Sequence, residues 1–141
     1  MDNGLEHENT FAVIGAGMSG VLAGIKLMEA GYPFQIFEKA DRVGGTWREN
    51  TYPGIACDVP SHIYSYSFEL NPDWSEFTSP GSEVQEYFER VSKRYGVDSH
   101  IRFNEAVTRC TWMGDRWEIE TEKGNVEQFR WVIAATGILH H

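Results

Sequence analysis

The sequence TFAVIGAGMSG, residues 10–20, contains the main evidence for the fold. Its first half is an uncharged apolar run, as a strand buried on both faces requires, and its second half is a G-x-G-x-x-G turn. Gly15 allows a tight turn, Gly17 removes a Cβ that would hold a pyrophosphate away, and Gly20 lets the following helix lie close to the strand. Because the helix dipole favours negative charge, we expect the first backbone N–H groups of that helix to bind phosphates.

The residues that follow the turn complete a β-α-β unit. A helix is predicted over Met18–Ala30, and Gly31 is placed to end it. The residues spaced for its buried face are Val21, Leu22, Ile25 and Met28. A second apolar run, Phe34–Phe37, ends at Glu38, about 20 residues past the glycines, where a carboxylate binds the ribose hydroxyls of a dinucleotide. The alternative for Glu38 is a solvated charge at a strand end, and the complete β-α-β unit favours ribose binding.

Length, charge and cysteine content limit the classes of function. A chain of 141 residues forms one domain, and a net charge of −9 argues against a nucleic-acid or anionic-membrane partner, although backbone amides can still hold an anionic dinucleotide. Cys57 and Cys110 show no metal-ligand spacing, so no metal site is expected. Without a signal peptide or a membrane-length apolar run, we expect a soluble cytoplasmic protein whose residues 1–9 are a flexible leader.

The segment from Asp41 to Pro80 is rich in Gly, Pro, Ser, Tyr and Trp without sustained periodicity. Loops of this length are uncommon in a compact domain unless they bind something. Gly44-Gly45 suits a place where the backbone passes close to a cofactor, and a plain turn is the alternative. A short helix or strand within 61–68 stays open. The aromatic residues here are too many for a disordered linker: Trp47, Tyr52, Tyr64, Tyr66, Phe68, Trp74 and Phe77.

A further helix is predicted after Ser79-Pro80-Gly81-Ser82, with Ser79 or Ser82 as its N-cap. It extends to Tyr95-Gly96, and its apolar spacing indicates packing rather than chemistry. Ile101–Phe103 is predicted as a short strand.

Three short runs joined by tight turns predict an antiparallel meander. These runs are Val107–Trp112, Trp117–Thr121 and Val126–Phe129. The uncharged run Trp131–Ala135 then leads into Thr136-Gly137, as expected for a buried strand that rejoins the parallel sheet. Helical crossovers are the rule in simple NAD domains, so a meander crossover favours FAD. The predicted fold class is therefore α/β, a Rossmann-like FAD/NAD(P)-binding fold with a parallel sheet and a three-stranded antiparallel β-meander crossover.

Several short motifs follow one another in order along the chain. They are GAGMSG (15–20), EK (38–39), GGTW (44–47), YPG (52–54), CDVP (57–60), YSYSF (64–68) and ATG (135–137). From about Thr10 to its end, the chain resembles the opening of the class B flavoprotein monooxygenases. It is more similar to the Baeyer–Villiger monooxygenases than to the flavin-containing monooxygenases. The glycine turn alone is common, whereas the ordered series in residues 44–68 is specific to this class.

The resemblance implies a function. FAD would be a bound prosthetic group, NADPH its reductant, and one atom of O2 would be inserted into a small-molecule ketone or transferred to a heteroatom. The second glycine motif for NADPH, the catalytic arginine and the substrate pocket of the family are not found in these residues. The resemblance therefore identifies residues 10–141 as a portion of an FAD-binding domain, either an N-terminal piece of a longer enzyme or a natural truncation.

The resemblance also implies roles for individual residues. Thr46 and Trp47 would lie along the flavin, Val107 would meet the adenine through its backbone, and residues 56–58 would touch the NADP side. The full cofactor-binding set is Gly15, Ala16, Gly17, Met18, Ser19, Gly20, Glu38, Lys39, Gly45, Thr46, Trp47, Ala56, Cys57, Asp58, Tyr64, Val107, Ala135, Thr136 and Gly137.

Two of these residues carry explicit alternatives. Asp58 is the expected catalytic residue, because its charge near the isoalloxazine can orient a catalytic arginine and the nicotinamide, and a simple Asx turn before Val59-Pro60 is its alternative. Tyr64 would contact the flavin region, and a plain core aromatic is its alternative. No pattern gives His62 a role, and His140 and His141 have no metal-ligand partner.

Other classes of function remain open at this point. One is a dinucleotide-binding or interaction module without catalysis, and another is an N-hydroxylating flavin monooxygenase. A flavin disulfide reductase is disfavoured because no redox-active cysteine pair follows Gly45.

Overall fold

The computed structural model describes residues 10–138, so the predicted leader and the predictions for His140 and His141 lie outside the described residues. The elements in chain order are β1 (Phe11–Ile14), α1 (Met18–Ala30), β2 (Phe34–Phe37), α2 (Thr46–Glu49), α3 (Gly81–Arg94), β3 (Ile101–Arg102), β4 (Val107–Trp112), β5 (Trp117–Thr121), β6 (Val126–Phe129) and β7 (Trp131–Ala134). Short 3-10 turns cover Ser61–Ile63 and Asp98–His100.

The first sheet is parallel, with strand order β3-β2-β1-β7. Phe11 on β1 is in register with Phe34 on β2 and with Trp131 on β7. The chain steps from β1 to β2 on one side and returns on the other side of β1 as β7. Ligands of open α/β sheets bind at the carboxyl ends of the strands where the order reverses in this way. The predicted parallel sheet and the predicted bounds of α1 and β2 are confirmed.

The second sheet is the predicted antiparallel meander, with order β4-β5-β6 and the predicted bounds of all three strands. It packs on one face of the parallel sheet, where Ile119 and Phe129 join Ala12 and Phe37 in a small core. The rings of Phe37 and Phe129 meet edge to face at 5.9 Å. The N–H of Glu105, just before β4, donates to the oxygen of Glu38, just after β2, at 3.0 Å, so the start of β4 lies at the carboxyl end of β2.

Helices α1 and α3 share the larger core on the other face of the parallel sheet. Gly31 ends α1 in the left-handed conformation, with φ of 76°, as predicted. The buried residues of α3 include Val84, Tyr87, Phe88 and Val91, so its packing role is confirmed.

The predicted serine cap of α3 is wrong. The N-cap residue is Pro80, and no side chain caps the helix. Ser79 is fully buried, and its backbone N–H donates to Ser61 Oγ at 2.7 Å, while the two serine hydroxyls lie 2.9 Å apart. Ser82 lies inside the first turn instead. The Ser61 and Ser79 hydroxyls therefore connect the two ends of the loop 61–79, and neither of them caps helix α3.

The long loop contains structure that the sequence did not resolve. Helix α2 was not predicted, and residues 61–68 contain the 3-10 turn rather than a strand. Strand β7 ends at Ala134, one residue before the predicted end, and β3 ends at Arg102 rather than Phe103. No helix within residues 10–138 has the length and apolar character needed to cross a membrane.

Candidate functional site

A cavity of about 640 Å³ lies at the carboxyl ends of β1, β2 and β7. The glycine turn, the loop around α2 and the start of β4 complete its walls. Its lining residues are Ile14, Gly15, Gly17, Met18, Ser19, Phe37, Glu38, Lys39, Gly44, Gly45, Thr46, Trp47, Glu49, Tyr64, Ala106, Val107, Ala135, Thr136, Gly137 and Ile138. The volume is in the range of small-molecule and cofactor sites.

Each of the three glycines of the turn is a glycine for a different structural reason. Gly15 has φ of +104°, and a Cβ there would lie 2.4 Å from the backbone oxygen of Ala135. A Cβ on Gly20 would lie 1.8 Å from the oxygen of Gly15, so packing within the turn excludes it. Gly17 has φ of −75°, and a Cβ there would make only an ordinary 3.5 Å contact with Gly45 Cα. The described chain therefore requires Gly15 and Gly20, whereas Gly17 leaves room beside the cavity.

The N-terminus of α1 opens into this cavity without a side-chain cap. Gly17 is the N-cap residue, no acidic residue lies in the first turn, and the first backbone bond runs from Val21 N–H to the oxygen of Gly17. The N–H groups of Met18 and Ser19 precede that bond, and the first N–H groups of a helix have no intrahelical acceptor. Together with the helix dipole, they form a site suited to an anion.

Glu38 is buried and holds the glycine turn. Its side chain is only 6% exposed, so the alternative of a solvated charge at a strand end is wrong. Oε2 accepts the backbone N–H of Ala16 at 2.6 Å, and Oε1 accepts that of Ala40 at 3.0 Å. No pattern in the sequence indicates the contact with Ala16. Because each carboxylate oxygen has a second lone pair, Glu38 can still accept a hydroxyl from the cavity.

The second glycine pair lies directly against the first turn. The N–H of Gly44 donates to the oxygen of Ala16 at 3.1 Å, and a Cβ on Gly45 would lie 3.0 Å from Gly17 Cα. Gly44-Gly45 is therefore a close approach between two backbone segments rather than a plain turn. Helix α2 follows at once and places Thr46 and Trp47 on the cavity wall.

Trp47 and Tyr64 form a hydrogen-bonded aromatic pair on this wall. Trp47 Nε1–H donates to Tyr64 Oη at 2.9 Å, and the rings meet edge to face with centroids 5.5 Å apart. Tyr64 also packs on Phe88, so it is both a half-buried core aromatic and a cavity residue. Burial raises the pKa of the Tyr64 hydroxyl, and the nearby Cys57 and Asp58 raise it further against the lowering effect of the Trp47 N–H.

The structure does not bring every predicted site residue to the cavity. Ala16 and Gly20 are buried inside the turn and do not line it. Ala56 and Asp58 are exposed and Cys57 is 3% exposed, and none of the three lines the cavity. The side chain of Asp58 makes no hydrogen bond within residues 10–138, so the structure gives no support to the Asx-turn alternative. The roles of these residues, and of those that do line the cavity, stay predictions.

Some lining residues were not predicted as site residues. Ile14 and Phe37 are the last residues of β1 and β2, so the rule that ligands bind at the carboxyl ends of strands was a signal for them. Gly44 was recognised only as a close-approach position. The others are Glu49, Ala106 and Ile138, for which the sequence holds no signal. In the part of the chain that the structure describes, no three His, Cys, Asp or Glu side chains form a group that could hold a metal ion.

Comparisons with known proteins give a consistent result. A family model described as an NAD(P)-binding Rossmann-like domain matches residues 13–80. A Baeyer–Villiger monooxygenase of Streptomyces coelicolor is 44% identical over 142 residues, which cover 95% of this chain and 27% of that protein. Cyclohexanone monooxygenase from Rhodococcus sp. Phi1 bound to NADP+ superposes with a TM-score of 0.90 at 37% identity, over 94% of this chain and 26% of its own.

A further solved structure, OTEMO in complex with FAD and NADP, superposes with a TM-score of 0.86 at 32% identity, over 93% of this chain and 26% of its own. The chain thus spans about a quarter of the length of the relatives that it matches.

Proposed function

Because this chain belongs, over the part that it spans, to the Baeyer–Villiger and related FAD-binding monooxygenases, we propose that it forms the FAD-binding portion of an NADPH-dependent monooxygenase. The whole enzyme would insert one oxygen atom from O2 into a small-molecule ketone or oxidise a heteroatom. FAD would supply the redox chemistry with NADPH and O2, and residues within 10–138 would supply the site that holds it. We also propose a cytoplasmic location, which rests on the sequence alone.

The observation that carries this proposal is the uncapped N-terminus of α1 beside Gly17. The pyrophosphate would accept the N–H groups of Met18 and Ser19, where the helix dipole favours negative charge. Gly17 supports this proposal. The described chain has room for a Cβ at position 17, so a bound ligand explains a glycine there better than packing within the chain does. Glu38 would accept the ribose hydroxyls, with Lys39 beside it on the wall.

The remaining walls would hold the two ends of the cofactor. Val107 at the start of β4 would meet the adenine on the side of β2. Thr46, Trp47 and Tyr64 lie on the α2 side and would contact the flavin. Residues 135–137, which follow β7, would close the cavity between these ends and exclude water.

We further propose that Asp58 acts on the NADP side, together with Ala56 and Cys57. Asp58 is exposed outside the cavity, and its charge contributes to the raised pKa of Tyr64, which supports a position near the flavin end. Its role would be to orient an arginine and the nicotinamide by charge. This assignment rests on the family resemblance rather than on a contact within the described residues.

The experiment that tests the FAD site is a comparison of Gly17→Ala with the wild-type chain. At φ of −75° an alanine is unstrained, and its Cβ meets Gly45 at an ordinary distance, so the variant should unfold in urea like the wild type. The same Cβ would hold the pyrophosphate off the helix N-terminus. The wild type should retain flavin absorption after addition of FAD and desalting, and Gly17→Ala should lose it.

Two outcomes would contradict the proposal in different ways. A folded Gly17→Ala variant that binds FAD as tightly as the wild type would refute the phosphate site. A folded wild-type chain that binds no FAD would refute the assignment of this chain as an FAD-binding portion. Consumption of NADPH and O2 by the FAD-loaded chain would separate an enzyme from a module that binds FAD without catalysis.

A further inference from the structure

The hydrogen bond between Trp47 and Tyr64 has only one possible direction. An indole N–H is a donor and has no acceptor capacity, so Tyr64 Oη must be the acceptor of the 2.9 Å bond from Trp47 Nε1. The phenol then keeps its own O–H as a donor for a second partner. Trp47 therefore determines which part of the Tyr64 hydroxyl is left available.

The proton of Tyr64 finds no acceptor within residues 10–138. Among the described residues, its hydroxyl has one hydrogen bond, which it accepts from Trp47. Its ring packs against Phe88, and its backbone N–H donates to the oxygen of Ser61. Both aromatic residues line the cavity. Because burial raises the pKa of Tyr64, the phenol keeps this proton at neutral and mildly alkaline pH.

The indole of Trp47 packs against the start of α3. A Cβ on Gly81, the first residue of α3, would lie 3.3 Å from Trp47 Cε3 and 3.2 Å from Ile55 Cγ2. The indole thus packs closely on the backbone at the start of α3, with Ile55 beside it. A side chain confined in this way can orient its hydrogen-bond partner at little cost in conformational entropy.

We propose that Trp47 is a positioning residue that fixes Tyr64 as a hydrogen-bond donor to an acceptor atom on the isoalloxazine end of FAD. This inference rests on the proposed function. Glu38 and Val107 would take the adenosine end, and the N-terminus of α1 the pyrophosphate, so the α2 side of the cavity is left for the ring. The isoalloxazine offers carbonyl oxygens and unprotonated ring nitrogens, which are the acceptors that a phenol requires.

The experiment is a double-mutant cycle of Trp47→Phe and Tyr64→Phe in the full chain, with FAD and ADP as separate ligands. Tyr64→Phe removes the donor and should weaken FAD binding about 5-fold, the effect of one hydrogen bond. Trp47→Phe should cost a similar factor because Tyr64 is no longer oriented. The double variant should be no worse than either single variant, since both changes remove the same bond.

ADP and the flavin spectrum provide the independent readouts. ADP lacks the isoalloxazine, so its affinity should be equal in the wild type and all three variants, which also reports that they fold. The absorption maximum of bound FAD should shift by the same amount in Trp47→Phe and Tyr64→Phe. The control is Trp74→Phe, which removes a buried indole N–H that has no partner within the described residues, and it should change neither readout.

The results that would overturn the inference are distinct from those that would overturn the proposed function. Additive losses of about 25-fold in the double variant, an equal loss for ADP, or unchanged FAD binding in Tyr64→Phe would each refute it while FAD binding by the wild type stands. If the folded wild-type chain bound neither ligand, the proposed function would fail and this inference with it.

Discussion

Replacing Glu38 by glutamine should destabilise the chain even without a cofactor. The carboxylate accepts two backbone N–H groups, at 2.6 Å from Ala16 and 3.0 Å from Ala40, and the side chain is 6% exposed. Glutamine has one acceptor oxygen, so it can keep only one of these bonds and directs an NH2 group at the other N–H. A hydrogen bond to a charged group contributes about 1.5–3 kcal/mol, so we expect a loss of about 2 kcal/mol in the free energy of unfolding.

The assay is urea denaturation of the wild type and Glu38→Gln. With a slope of about 2 kcal/mol per molar urea, the loss corresponds to a midpoint lower by about 1 M at unchanged slope. The matched control is Glu29→Gln, which changes an exposed carboxylate paired with Lys26 and should shift the free energy of unfolding by less than about 0.5 kcal/mol. If Glu38→Gln unfolded like this control, the argument that Glu38 holds the glycine turn would be refuted.

Three further predictions concern other parts of the chain. Gly20→Ala should lower the free energy of unfolding by about 3 kcal/mol or more in urea denaturation, because its Cβ would lie 1.8 Å from a backbone oxygen, and a near-native midpoint would contradict this. Hydrogen bonds, above all the one from Asn125, hold the pKa of Glu105 below its ordinary value of 4.5. The charged carboxylate therefore stabilises the folded chain above pH 4.5. This contribution to the free energy of unfolding is lost as the pH falls through the pKa of the folded state. The difference in free energy of unfolding between wild type and Glu105→Gln should therefore shrink from about pH 6 to about pH 3. A constant difference over this range would refute the lowered pKa of Glu105. Iodoacetamide should label exposed Cys110 before Cys57, which is 3% exposed, as peptide mass spectrometry would show; equal rates would mean that the region around Cys57 opens readily.

The sequence by itself determined the fold class and most element bounds. The helix Met18–Ala30 and the strands of the meander match their predictions because local patterns decide them: apolar spacing, turn residues and a terminating glycine. The ordered motifs also predicted the family correctly, as the 44% identical Baeyer–Villiger relative shows. These features depend on residues close together in the chain.

Only the tertiary structure decided which groups meet at the cavity. The bond from Ala16 to Glu38 spans 22 positions and that from Trp47 to Tyr64 spans 17, and no local pattern predicts either one. Ser79 or Ser82 was predicted to cap α3 because serine is common at helix N-termini, yet Pro80 is the N-cap and Ser79 donates its backbone N–H to Ser61 instead. Hydrogen bonds and close backbone approaches depend on positions in space, and folding brings distant parts of the chain to one place. For this protein, therefore, the sequence alone predicts a dinucleotide fold, and the three-dimensional packing decides that Glu38 holds the glycine turn and that Trp47 donates a hydrogen bond to Tyr64 on the cavity wall.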